Sequence, residues 1–159
     1  GASAGFWSQS RPVSLEVEPD FGPYLGTVES IPVEVEVYRD SQLVEICTLF
    51  VKATGKLHLD TDVTGEVTVF AKPSHWLRKN LGIVTLNEVD VTELTGIFVN
   101  GDIDGDNEIG PGDFAALALA FLTAVGDPNF NPDADLDGDG EVGPGDFAIL
   151  AENFLLSGD

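Results

Sequence analysis

The feature that most constrains this chain is a repeat near its end. Residues 102–122 read DIDGDNEIGPGDFAALALAFL, and residues 135–155 read DLDGDGEVGPGDFAILAENFL. They agree at 15 of 21 positions with a constant offset of 33. A duplicated unit this short cannot bury an apolar face alone, so its two copies are expected to pack against each other. Gly126 to Ala134, with Pro128 and Pro132, is the connection between them.

Each copy places carboxylates at positions 1, 3, 5 and 12 of a loop: Asp102, Asp104, Asp106 and Asp113, then Asp135, Asp137, Asp139 and Asp146. This is the spacing of an EF-hand calcium loop. A hard cation wanting six to eight oxygens at about 2.3–2.6 Å is met by alternate aspartates on a tightly curled loop. Position 7 supplies a backbone carbonyl, here from Glu108 and Glu141, and position 12 closes the shell from the first helical turn. Position 9 is Gly110 or Gly143, so that oxygen is left to water. Position 6 is Gly140 in the second copy and Asn107 in the first; asparagine tolerates the left-handed backbone needed there, which makes the change a mild weakening. Zinc would prefer His or Cys, and none follows His75. Magnesium prefers a smaller octahedral shell with retained water.

Charge supports the same expectation. The chain carries 28 acidic and 7 basic residues for a net charge of -21, and every base lies before residue 80. Fourteen acids lie between Asp102 and the end with no base among them. Phe114, Leu117, Phe121, Phe147, Leu150 and Phe154 nevertheless recur there at helical spacing, which a solvated acidic tail lacks. The segment is therefore expected to fold around two calcium ions, with those stripes packing the helices together or onto the rest of the chain. So negative a surface disfavours nucleic acid and anionic membranes, and no apolar run approaches the length of a membrane span.

Residues before 100 follow a period of two. Leu15 and Val17 alternate with Glu16 and Glu18, and Val33, Val35 and Val37 alternate with Glu34 and Glu36. Five more strands are expected at 43–51, 56–60, 66–72, 82–86 and 94–99. Even spacing without amphipathic helices predicts an antiparallel β-sandwich, mainly β overall with a small α part. Residues 1–12 read as an extended arm, 13–99 as the sandwich and 100–159 as the calcium-binding domain.

His58 and His75 lack any triad or metal-motif partner, and Cys47 sits in an apolar strand. No catalytic constellation emerges, so the chain is expected not to be an enzyme. Trp76 reads as a core or interface anchor, and less readily as a sugar-stacking residue beside Tyr24.

The stretch TGEVTVFAKPSHWLRK at 64–79 resembles the late-strand signature of carboxypeptidase-regulatory-like, transthyretin-type sandwiches, which implies a small seven-strand module without an active site. The duplicated loop-helix unit, with no helix before its first loop and ending in Asp-Phe-Ala-x-Leu-Ala, resembles the dockerin repeat over roughly 101–156. That resemblance implies calcium ligands at the ten positions named and a role in docking to cohesins. In cohesin-binding dockerins loop positions 10 and 11 are polar or basic, whereas here they are Pro111 and Gly112, then Pro144 and Gly145. The leading functional expectation is accordingly a calcium-rigidified structural subunit of an extracellular filament or surface assembly. Its N-terminal arm, carrying Phe6 and Trp7, would contact the next copy. A dockerin plug for a cohesin-like partner is the second expectation, and a glycan-binding sandwich the third. A chain beginning at Gly1 with no methionine is expected to be secreted with its signal peptide removed.

Overall fold

The computed structural model describes residues 12–159; all but the last residue of the expected N-terminal arm lies outside the described residues. Seven strands form two facing sheets. They are β1 (Val13–Asp20), β2 (Val33–Arg39), β3 (Gln42–Leu49), β4 (Leu57–Thr61), β5 (Gly65–Pro73), β6 (Lys79–Leu86) and β7 (Thr92–Ile97). One sheet has the order β4-β1-β7 and the other β3-β2-β5-β6. The pairing is antiparallel except that β7 lies parallel to β1, with Val17 opposite Leu94. The alternation in the sequence is realised as burial. Val13, Leu15 and Val17 face inward from β1, and Val33, Val35 and Val37 meet them from β2. Facing apolar strands of this kind each remove roughly 1.5–3 kcal/mol of exposed hydrocarbon per side chain from water.

Trp76 anchors the end of the sandwich nearest the repeats. It is fully buried, and its indole N–H donates to the Phe21 carbonyl at 3.0 Å. Phe21 lies 5.1 Å from it centroid to centroid and 5.9 Å from Phe98. Trp76 therefore has no face open to a sugar, and the glycan-stacking expectation built on it is corrected: the ring belongs to the core, and truncating it to alanine would cost about 3–5 kcal/mol.

Two helices follow, α1 (Pro111–Ala120) and α2 (Pro144–Glu152). Proline at the first helical position costs nothing, because that N–H has no intrahelical acceptor. After each helix the chain turns through a left-handed leucine, Leu122 (φ 67°) and Leu155 (φ 71°). It then pairs with the other copy's loop. Leu122 N–H donates to Val142 O and Val125 N–H to Gly140 O; correspondingly Leu155 N–H donates to Ile109 O and Gly158 N–H to Asn107 O. The two copies thus exchange backbone bonds about a pseudo-twofold axis, which is how a unit too small to stand alone becomes stable. Their shared core holds Ile103, Ile109, Leu117, Leu136, Val142 and Leu150, and Leu77 of the sandwich joins it.

Candidate metal centres and docking face

In each loop the four predicted aspartates converge. Asp102, Asp104, Asp106 and Asp113 each offer an oxygen such that all lie within 4.8 Å of one another, and Asp135, Asp137, Asp139 and Asp146 do the same. Oxygens on a coordination shell of about 2.4 Å radius lie no more than twice that distance apart, so both clusters are of calcium size. The backbone of each loop holds the carboxylates in place. Asp102 Oδ1 accepts the Gly105 N–H and its Oδ2 the Asn107 N–H, both at 3.0 Å. Asp135 accepts the equivalent bonds from Gly138 at 3.0 Å and Gly140 at 2.9 Å.

The twelfth-position aspartates do two jobs. Asp113 accepts from Gly110 N at 2.7 Å, the reach-back half of a helix capping box, and from Asp104 N at 3.0 Å. Asp146 accepts from Gly143 N at 2.8 Å and from Asp137 N at 3.0 Å. The shorter side chain thereby locks loop to helix. A Cβ at position 11 would crowd the position-3 carboxylate: one on Gly145 would meet Asp137 Oδ2 at 2.6 Å and one on Gly112 would press on Asp104, so those side chains would have to shift. The side chains of Glu108 and Glu141 stay outside the clusters, as expected for residues whose role would be a backbone carbonyl.

Burial first, and then the neighbouring carboxylates, push Asp104 and Asp135 up to about 6. Asp146 is raised for the same first cause. An all-oxygen donor set with buried aspartates at positions 1 and 12 fits a hard divalent ion.

The loops sit against the sandwich differently. The second is held by the segment after β1, where Leu25 N–H donates to Asp137 O at 2.7 Å and the Tyr24 ring lies against Gly138. Burial and the nearby Asp135, Asp133 and Asp137 raise the Tyr24 phenol. The first loop is held by the β5–β6 connection. Asn107 adopts φ 68°, matching Gly140 at 90°, and its side chain accepts the Arg78 N–H at 2.7 Å. Asparagine at position 6 is therefore a fastening to the sandwich as well as a tolerated substitute for glycine. His75 is buried, bonded to Asn100 Oδ1 at 2.7 Å, while Asn100 Nδ2 donates to Leu136 O. It is part of the same seam, and burial lowers its pKa. His58 instead lies on the β4 surface between Glu16 and Asp60. Cys47 is half-buried beside the sandwich core.

The helical stripes depart from expectation. Leu117 and Leu150 are buried as predicted, but Phe114, Phe121, Phe147 and Phe154 are 39–47% exposed. Phe114 and Phe147 meet edge to face, 6.0 Å apart, on the outer side of the two helices. On one flank lies a groove of about 380 Å³ lined by Phe114, Leu117, Ala118, Phe121 and Phe147. On the other lies one of about 370 Å³, lined by Phe147, Leu150, Ala151, Phe154 and Phe114 with Pro111. Apart from Pro111, those linings are the same positions of the two copies, offset by 33. Helical periodicity shows that these residues share a face; it does not show whether the chain itself covers that face.

Residues 100–155 match the dockerin type I domain. No curated protein matches the chain. Among solved structures, a type II cohesin–X–dockerin complex of Acetivibrio cellulolyticus in an N-terminal interface mutant form is 21% identical. It matches with a TM-score of 0.68 over 91% of this chain and 96% of that one. The C-terminal interface mutant of that complex is 20% identical at the same TM-score and coverage. The repeat half is a dockerin-like domain following a β-sandwich, and dockerin domains bind calcium. These likenesses correct the expectation of a self-assembling filament subunit: the repeats match the dockerin type I domain, and the solved structures that share the fold are cohesin–X–dockerin complexes. Exposed apolar side chains lie on the paired helices and also along β3 (Leu43, Val44, Ile46), and the likenesses give self-association no support.

Proposed function

We propose that this chain is a non-catalytic docking module, in which a dockerin-like plug braced by a β-sandwich (13–99 and 100–159) seats on a cohesin-like receptor. The observation that carries this reading is the pair of equivalent apolar grooves either side of Phe114 and Phe147. An aromatic centre in an apolar setting is the composition of an interface hot spot. It also accounts for Pro111 and Gly112, and Pro144 and Gly145, standing where cohesin-binding dockerins carry polar or basic residues: an apolar receptor face needs apolar partners. Two calcium ions are held by Asp102, Asp104, Asp106 and Asp113 with the Glu108 carbonyl, and by Asp135, Asp137, Asp139 and Asp146 with the Glu141 carbonyl. Bound calcium cross-links each loop to its helix; the loops in turn fix the angle at which the two helices present their phenylalanines. Such modules serve extracellular or cell-surface assemblies, and no helix here is long and apolar enough to cross a membrane.

The test is binding of the purified chain to a panel of cohesins by calorimetry in calcium. Phe114→Ala and Phe147→Ala are each expected to weaken binding by roughly 30-fold or more, as for a hot-spot residue, with the melting temperature little changed. Affinity unchanged in both variants would remove the helix face from the function.

A further inference from the structure

The two loops are matched in ligands but not in neighbours. Lys72, on β5 of the sandwich, places its ammonium 2.8 Å from Asp102 Oδ2, the position-1 carboxylate of the first loop. Asp102 is fully buried and the lysine side chain only 20% exposed. The ammonium is saturated on its other sides by the carbonyls of Trp76 at 3.0 Å and Ser74 at 3.3 Å, so it is fixed where it lies. Among the described residues no other ion pair reaches a loop aspartate, and no basic residue follows Lys79 in the sequence.

We propose that Lys72 is a built-in counter-cation that makes the first calcium site the weaker of the two and keeps its loop docked to the sandwich when calcium is absent. This rests on both loops being calcium sites. Four aspartates give each cluster the same formal charge, and Lys72 offsets one unit of it only in the first. The affinity of such loops follows ligand charge, and a fixed positive charge beside the site repels a divalent ion. Losing the lysine would not release Asp102, because the Gly105 and Asn107 N–H groups still hold both of its oxygens. The repulsion therefore outweighs any contribution of the lysine to positioning. On this basis calcium fills the second loop first, and the first loop becomes the one whose occupancy follows calcium concentration.

The experiment is a calcium titration of the whole chain, followed through the backbone amide resonances of Gly105 and Asn107 for the first loop and Gly138 and Gly140 for the second. The second loop is expected to fill first. Lys72→Met should raise first-loop affinity by at least about tenfold, the effect of a nearby unit charge on a divalent ion even at the dielectric of bulk water, and leave the second loop unchanged. Lys72→Arg, which keeps the charge, should resemble the wild type. First-loop affinity that is unchanged or lower in Lys72→Met would overturn the proposal, while calcium uptake by neither loop of the wild type would overturn the metal assignment along with it. A measurement that needs no variant is amide exchange of the wild-type protein in chelator. Asn107 should exchange more slowly than Gly140, and equal rates would count against Lys72 as a stand-in cation.

Discussion

The first and second loops share every carboxylate and nearly every hydrogen bond, yet they lean on different parts of the sandwich. Lys72, Asn107 and Arg78 fasten the first through charge and side-chain bonds. The second is fastened more through shape: Tyr24 and the Gly26 backbone press against Gly138, with a backbone bond from Leu25 to Asp137 and a side-chain bond from Asn100 to Leu136. Duplication kept the carboxylates alike, as two sites for the same kind of ion would require. It left the outward positions free to diverge, because each copy meets a different surface.

Removing calcium should separate the two regions most. In chelator the repeat half is expected to lose helical circular dichroism and melt at lower temperature while the sandwich transition stays in place. At calcium a thousandfold above Kd the difference is about 4 kcal/mol. An unchanged helical signal in chelator would mean that the apolar core of the repeats suffices without the ion.

Next in size is a matched pair of glycines at loop position 4. A Cβ on Gly138 (φ 74°) would meet Gly26 N at 2.6 Å and Tyr24 at 2.6 Å, whereas one on Gly105 (φ 79°) meets nothing within 4 Å. Both alanine variants pay roughly 1–2 kcal/mol for the left-handed backbone, but Gly138→Ala also overpacks the seam by a further ~1–3 kcal/mol. Equal losses in thermal melts would show that the Tyr24 segment yields freely.

Asn107→Gly tests the other fastening. It removes the acceptor for the Arg78 N–H while satisfying the backbone angle, and should cost about 1 kcal/mol, read as a lower denaturant midpoint. The reciprocal Gly140→Asn keeps a permitted conformation and should cost less.

The smallest effect is that of pH on the metal-free protein. Asp104 and Asp135 are raised to about 6 from 3.8, so their folded form binds protons more tightly than the unfolded chain. Their contribution is therefore present below about pH 4 and lost as pH rises toward 7. With calcium bound the direction reverses, since protons compete with the ion below about pH 6. Melting curves at pH 5 and 7, with and without chelator, should cross in this way.

Much of the molecule was legible in the sequence. Each of the seven strands overlaps an expected one, with ends displaced by up to three residues, and the eight carboxylates converge as their spacing predicted. These are local properties: a strand's two faces and a loop's curl are set by residues a few positions apart. The errors are equally physical. Helical spacing predicts that the stripes are core, as Phe and Leu usually are, yet of those six residues only Leu117 and Leu150 are covered. Asn107 looked like a weakened glycine, because Arg78 lies 29 residues away. The parallel pairing of β7 with β1 likewise depends on which sheet edge the chain returns to.

The sequence by itself determined the two aspartate clusters, the alternating sandwich and the duplication, because each is written in short-range spacings along the chain. Only the tertiary structure decided that four phenylalanines stay open, that Trp76 is closed, and that a lysine of the sandwich reaches the first loop alone. Burial and ion pairing depend on which distant surfaces meet, and a pseudo-twofold pair set against an asymmetric sandwich gives its identical halves different neighbours.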